Sequence, residues 1–394
     1  MLSDIADPGL WRDGEDRIAW ARRHMPVLDA LSGSLDLDGR RVGLVLVLEP
    51  KTAVLALTLK DAGAEVVVHC PGRETSDDVA AALVHAGVPV LARSGTTRAQ
   101  DDDLARRLLD HGLDALVDDG SRVIRLAHAE DRLGPLSGAA EETTSGLRPL
   151  RVMAASGDLR IPVMAVNDAR SKTLFDNVYG TGQSCVLAAL DLSGLDLDGR
   201  TCVVAGYGHV GQGVARHAAA LGARVVVSEV DPVAALRAHH DGLRVLPLAE
   251  ACPEADLLFS ATGVAATVAA EHQRVLKPGA YVAVAGGVPG EIENPGAGRP
   301  VRPGVTEHDG WYLLADGDCV NCAAAEGNPI EIMDLSLSLQ ALAVEHLLST
   351  PLPPAVHLLP AGLDDRVARL KAQALGLRLE PVSDLQREFL GRGL

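Results

Sequence analysis

Residues Val203 to Gly213 read V-V-A-G-Y-G-H-V-G-Q-G, and this stretch decides the fold. Apolar and small residues that read as a buried strand run directly into Gly206-x-Gly208-x-x-Gly211, with His209 and Val210 inside the loop. A helical pattern follows from Val214 to Leu221. A second strand-like run, Ala223 to Ser228, ends at Glu229. In this order the first glycine permits a tight turn, the second lets backbone approach a pyrophosphate, and the third allows close packing of helix on strand. The acid about twenty residues on is placed to bind a ribose diol. A bare glycine pattern would be weak evidence. Strand, loop, helix, second strand and terminal acid together predict a dinucleotide-binding unit. Glu229 favours NAD over NADP, because a 2′-phosphate beside it would meet like charge.

Working outward, 394 residues exceed one ordinary core and imply two or three domains. A hydrophobic content of 47% with only 3% aromatics predicts an α/β protein packed mainly with aliphatic side chains. The formal charge of −17, with no basic tract to offset it, argues against nucleic acid as a partner. No uninterrupted apolar run of about eighteen residues suggests a membrane span. The opening M-L-S-D-I-A-D-P carries acids where a signal peptide carries basic and then apolar residues, so a cytoplasmic location is expected. The cysteines are scattered and outline no disulfide framework. Cys319-x-x-Cys322 lacks a second pair or nearby histidines at ligand spacing, so no metal is expected and the pair reads as small loop residues.

Strand and helix patterns alternate through the first half. Arg41 to Leu48, Glu65 to His69, Val88 to Ala92 and Ala115 to Val117 read as strands. Lys51 to Ala62, Ser76 to Ala86 and Asp101 to His111 read as helices. A second alternating set runs from near Asn167 to about residue 335, with the boundary near Ile161–Asn167. Two doubly wound parallel-sheet α/β domains are therefore expected, one a Rossmann unit. Gly286 to Pro303 reads as a loop, and Pro351 to Pro360 as a separator before a helical tail, Asp364 to Leu375.

Several segments carry chemistry. In Asn167-Asp168-Ala-Arg-Ser-Lys172-Thr-Leu-Phe175-Asp176-Asn177, Lys172 and Asp176 share a helical face. Such a pair can deprotonate a sugar hydroxyl during hydride transfer, the carboxylate tuning the lysine. An ordinary surface ion pair has the same spacing. Glu141-Glu142-Thr143-Thr144-Ser145-Gly146 can bind a ribose diol and a cofactor amide, or simply start a helix. Asp118-Asp119-Gly120 closes a strand whose carboxyl end would face a ligand crevice. Thr262-Gly263, after the apolar run Leu257 to Phe259, stands where a Rossmann domain meets the cofactor's adenine-side ribose and phosphates.

Together with Ser228-Glu-Val-Asp-Pro, Val320-Asn321 and Val356-His357-Leu-Leu-Pro360, these segments resemble the S-adenosyl-L-homocysteine hydrolase family, in order, from Met25 to about Leu375. The resemblance implies a substrate domain over residues 1–165, an NAD domain over 166–335, and a return helix and tail over 336–394. It implies that Lys172 and Asp176 act at the ribose 3′-hydroxyl, that Asp119 acts near C4′, and that Glu142, Thr52, Asn177 and Asn328 bind an adenine nucleoside. NAD would be bound by Thr143, Thr144, Ser145, Gly206, Gly208, His209, Val210, Gly211, Glu229, Thr262, Gly263 and Asn321. The family's chemistry oxidises the 3′-hydroxyl, removes the C4′ proton, expels the group at C5′ to leave an alkene, adds water and reduces the ketone. A homo-oligomer, dimer or tetramer, is also implied.

The departures are patterned. The family's His-Met-Thr is here Val47-Leu48-Glu49, its Gly-His-Phe is Gly286-Gly287-Val288, and its Gly-His-Pro is Gly327-Asn328-Pro329. Three histidines that handle protons near C5′ are replaced. The family's Lys/Tyr-containing C-terminal extension has no counterpart before Leu394, so weaker NAD binding or an altered assembly is expected. One general acid or base is typically worth about 10²–10⁴-fold, so losing three should cripple thioether hydrolysis while 3′-oxidation survives. The expected activity is a nucleoside dehydratase giving a 4′,5′-unsaturated product of the angustmycin A type, with Glu49 as the acid and Glu326 next. The alternatives are an S-adenosyl-L-homocysteine hydrolase with substitute residues, a non-catalytic NAD- and nucleoside-binding regulator, and an epimerase.

Overall fold

The computed structural model describes residues 3–391; Met1, Leu2 and Arg392–Leu394, on which the expectation about the tail rests, lie outside the described residues. The first six strands are β1 (Arg41–Val45), β2 (Glu65–His69), β3 (Val90–Leu91), β4 (Ala115–Asp118), β5 (Gly138–Glu141) and β6 (Val163–Ala165). Then follow β7 (Thr201–Ala205), β8 (Arg224–Ser228), β9 (Arg244–Val245), β10 (Leu257–Ser260), β11 (Tyr281–Val284), β12 (Arg299–Arg302), β13 (Val305–His308), β14 (Trp311–Leu314) and β15 (Val356–Leu358).

One sheet has the order β15-β6-β5-β4-β1-β2-β3 and is parallel throughout. The other has the order β12-β13-β14-β11-β10-β7-β8-β9. It is parallel except for its β12–β13–β14 edge, which is antiparallel. Central strands such as β4 and β7 are buried along their whole length, as covered parallel strands must be, and so read as continuous apolar runs. Each sheet reverses its strand order in the middle, at β1/β4 and at β7/β10. Ligand crevices of open α/β sheets open at such points, over the carboxyl ends of the strands.

Several boundaries differ from the sequence reading, each for a physical reason. β1 stops at Val45, opposite Asp118 at the end of β4, so Leu46 and Val47 leave the ladder and form cavity wall, while Leu48 is buried and bridges to Thr75. The helix Arg98–Leu109 starts earlier than expected because Thr97 and Gln100 form a capping box. Pro351–Pro360 is not only a separator, since it contains β15, paired with β6. The presumed loop 286–303 contains β12, where Pro300 is tolerated because an edge strand need not donate on its outer side.

Between β6 and β7 the chain runs through a π-helix, Thr173–Thr181. It returns to the first sheet on the helix Ile330–Ser349. Leu335, Leu337, Leu339 and Leu342 of that helix pack into one core with Leu44, Leu55 and Met164. Among the described residues no helix is long and apolar enough to cross a membrane.

Candidate active site

The connections that leave the carboxyl ends of β1, β2, β4, β5 and β6 converge on one cavity of about 240 Å³, closed on its far side by the second domain. β4 delivers Asp119, β5 delivers Glu142 and Thr143 to Ser145, and the segment after β6 delivers Lys172, Asp176 and Asn177. Thr52 comes from the helix after β1, and Val210, Asn321 and Asn328 reach in from the second domain and the return connection. Residues scattered over most of the chain thus share one wall.

The Lys172–Asp176 pair is not a surface ion pair. Lys172 Nζ lies 3.2 Å from Asp176 Oδ1 and 3.1 Å from Glu142 Oε1, and donates to Asn177 Oδ1 at 3.0 Å. The side chains of Lys172 and Asp176 are only 2% and 4% exposed. π-helical segments are rare and concentrate at functional sites, and here one brings Lys172, Asp176 and Asn177 inward together. Burial disfavours the ammonium, but Asp176 and Glu142 outweigh it and hold the Lys172 proton well above the ordinary lysine range. Burial pushes the Glu142 carboxyl well up, against the pull of Lys172. The two carboxyls thus tune the lysine toward its charged form.

Asp176 is held from its other side. Asn328 Nδ2 donates to Asp176 Oδ1 at 2.9 Å, and Ser336 Oγ donates to Oδ2 at 2.6 Å. Asn328 in turn accepts from Asn321 Nδ2 and Ser184 Oγ. Asn177 Nδ2 donates to Asn167, which accepts from Thr144. Beneath the cavity, side-chain alternation turns Asp118 and Glu141 into the protein. Asp118 accepts from Ile124 N, while Glu141 accepts from Gly120 N and from Thr143. They pin the turns that project Asp119 and Glu142. Burial pushes Asp118 up to about 7 and raises Asp119.

The two acids expected at C5′ are both engaged elsewhere. Glu49 caps the helix Pro50–Asp61 through Lys51 N and pairs with Lys51 Nζ at 2.8 Å. Glu326 is an exposed partner of Arg17, although its backbone carbonyl accepts from Lys51 Nζ. Cys319 and Cys322, read as loop residues, in fact stand on the cavity wall. Contact among Cys319, Cys185 and Cys322, together with burial, pushes both wall thiols well up, so they are neutral near pH 7.

The glycine loop lies beyond this cavity, at the ends of β7 and β8. Gly206 has φ +96°, and a Cβ on Gly211 would stand 2.0 Å from the Gly206 carbonyl oxygen. A Cβ on Gly208 would instead meet open space, where a pyrophosphate needs backbone access. The helix His209–Ala220 begins without a side-chain cap, so its first N–H groups face the cradle. Glu229 accepts from Tyr207 N at 2.6 Å, which ties the acid to the loop. Thr262 and Gly263 sit at the neighbouring strand end, their carbonyls held by Arg148 of the first domain. These residues fit NAD. His209 turns its ring toward Thr173 and lines a separate surface cleft with Tyr179 and Arg216, so only its backbone belongs to the cradle.

The sequence reading missed Lys51, Glu74, Ser336 and Arg148. Ser336 lies in an apolar helix, where a serine carries no local signal. Glu74 follows the carboxyl end of β2, which the switch-point rule could have flagged.

Two α/β domains, a dinucleotide cradle on one, and a buried lysine–carboxylate cluster between them define an NAD-dependent enzyme. Residues 3–134 match the family described as S-adenosyl-L-homocysteine hydrolase, and residues 177–303 match its NAD binding domain. The S-inosyl-L-homocysteine hydrolase of Methanopyrus kandleri is 44% identical, covering 98% of this chain and 96% of its own. The adenosylhomocysteinase of Thermotoga maritima is 42% identical, covering 96% and 98%. The chain belongs to the S-adenosyl-L-homocysteine hydrolase family, and NAD is its cofactor.

Proposed function

We propose that this family member is a nucleoside dehydratase, which eliminates water across C4′ and the exocyclic carbon of an adenine nucleoside. The supporting observation is the contrast within one cavity. Val47, Gly287 and Asn328, at the three positions where the family has histidine, all line the wall, and no histidine among the described residues does so. The groups suited to the 3′-end are complete.

Held by the glycine cradle, NAD would supply a reversible hydride acceptor for C3′. The proton leaving O3′ is relayed through the Lys172–Glu142 pair, 3.1 Å apart, to the Asp176 carboxylate 3.2 Å from Lys172 Nζ. Asn177, Asn328 and Ser336 keep that pair and Asp176 oriented. Asp119, its carboxyl raised by burial, takes the C4′ proton that the 3′-ketone has acidified. The group on the next carbon then departs and leaves the alkene. With no histidine at hand to activate water, the reaction stops there, and O3′ recovers its proton. At the opposite end, the Lys51 ammonium beside Glu49 offers a donor next to an acceptor for the edge of the base. The relatives named S-inosyl-L-homocysteine hydrolase make hypoxanthine nucleosides worth assaying beside adenine ones.

The NAD-loaded enzyme should convert a free hydroxylated nucleoside to a product lighter by one water, and release no homocysteine from S-adenosylhomocysteine or S-inosylhomocysteine. Stoichiometric release of homocysteine without dehydration would establish a hydrolase instead.

A further inference from the structure

After β2 the chain turns through Cys70 and Pro71 into the short helical turn Gly72–Glu74. Glu74 therefore stands over the same sheet edge as the site, beyond β1. Read across the sheet from β6 to β2, the connections present Lys172, Glu142, Asp119, then Leu46 and Val47, then Glu74, all on one cavity. The β1 loop also places Glu49 on this wall, where burial raises its carboxyl, but that carboxyl is tied to the start of a helix and to Lys51.

Glu74 differs from the other carboxyls of this wall. Glu49, Glu142, Asp176 and Glu326 each have a cationic partner. Asp119 is held by the charge of Lys172. The Glu74 carboxyl has no hydrogen bond or ion pair among the described residues, and its side chain opens onto the cavity. Asp119 interacts with Lys172 on one side and with Glu74 on the other, so the three follow one another along the wall. A furanose with O3′ at Lys172 and C4′ at Asp119 directs its exocyclic carbon onward to Glu74.

We propose that Glu74 is the acid that protonates the departing hydroxide. The inference rests on the dehydratase reading. The C4′–H bond breaks, its electrons form the alkene, and the C–O bond breaks as oxygen takes the Glu74 proton and leaves as water. Asp119 meanwhile holds the C4′ proton. Passing it to Glu74 restores both groups, so no outside acid or reductant is needed. The charged and titratable groups facing Glu74 are Asp119, Asp318, Arg122 and Asp101, with the neutral thiols Cys70 and Cys322. Although Glu74 as a whole residue is exposed, crowding of its carboxyl by the surrounding protein, then Asp119, pushes it up to about 7, which favours a proton there near neutrality.

The test separates elimination from the earlier steps. Glu74→Gln should lower dehydration about 10²–10⁴-fold. The same sample should still reduce its bound NAD with nucleoside and take up deuterium at C4′ from D₂O. Glu74→Asp should recover part of the loss. In the unaltered enzyme, dehydration should fall as pH rises through about 7, because the acid must be protonated, while C4′ exchange should not fall. Undiminished dehydration by Glu74→Gln overturns the role of Glu74 and leaves the dehydratase reading intact. So does a fall in exchange equal to the fall in dehydration. An unaltered enzyme that dehydrates no nucleoside overturns both.

Discussion

The two ends of the cavity are built on opposite principles. At the 3′-end, Lys172 meets Glu142, Asp176 and Asn177, and Asp176 is tied to Asn328 and Ser336, so nearly every polar atom is buried and paired. At the exocyclic end, Val47 and Gly287 cannot carry a proton, and Glu74 stands without a partner. A satisfied low-dielectric cluster holds its geometry and its charges fixed. An unpartnered carboxyl in a partly enclosed space can exchange its proton. On the proposed reading, the contrast corresponds to a redox half kept whole and a hydration half altered.

The largest expected effect comes from breaking the paired end. Lys172→Met should abolish reduction of bound NAD by nucleoside, a loss of at least about 10²–10⁴-fold, while NAD content after purification stays normal. Persistent reduction would move the 3′-chemistry elsewhere. Gly211→Val should come next. Its side chain collides with the Gly206 carbonyl, so the protein should be purified without NAD, measured by release of nucleotide on denaturation.

Ser336→Ala leaves one buried carboxylate oxygen of Asp176 short of a donor and should cost about 1–3 kcal/mol in denaturant unfolding. It should also slow NAD reduction more than it alters NAD binding; an unchanged midpoint would show that Asp176 does not depend on this contact. A subtler test concerns pH. Asp118 titrates in the folded chain at about 7, above its ordinary value, so the folded state binds more protons than the unfolded one and stability should fall as pH rises from about 4 to 7. Asp118→Asn keeps an acceptor for Ile124 N and should flatten that slope in thermal melts. The smallest effect belongs to Arg148→Ala. It removes two exposed contacts to the Thr262–Gly263 turn, costing under about 1 kcal/mol and raising KM for the nucleoside more than it lowers kcat.

Much of this was legible in the chain. The glycine loop, with its flanking strands and Glu229, announces its own geometry, because conformation and backbone access there depend on residues a few positions apart. Asp119 and Glu142 were also legible, since each directly follows a parallel strand whose carboxyl end faces the crevice, whereas Lys172 lies beyond β6 and its spacing to Asp176 is also that of a surface ion pair. Element ends read less well where partners decide them, as when β1 stops opposite Asp118 or β15 forms between prolines by docking on β6.

The sequence by itself determined the two α/β domains, the NAD cradle, the family and most of the carboxyl and amine groups that gather on the cavity. Those properties follow from local pattern and residue chemistry. The tertiary structure alone decided which of those groups are free to act. Glu49 and Glu74 are the same residue type, each just past a parallel strand. A neighbouring ammonium and a helix terminus occupy the first, and nothing among the described residues occupies the second. Partnership across distant elements sets a carboxyl's charge and availability, and no local pattern in the chain encodes it.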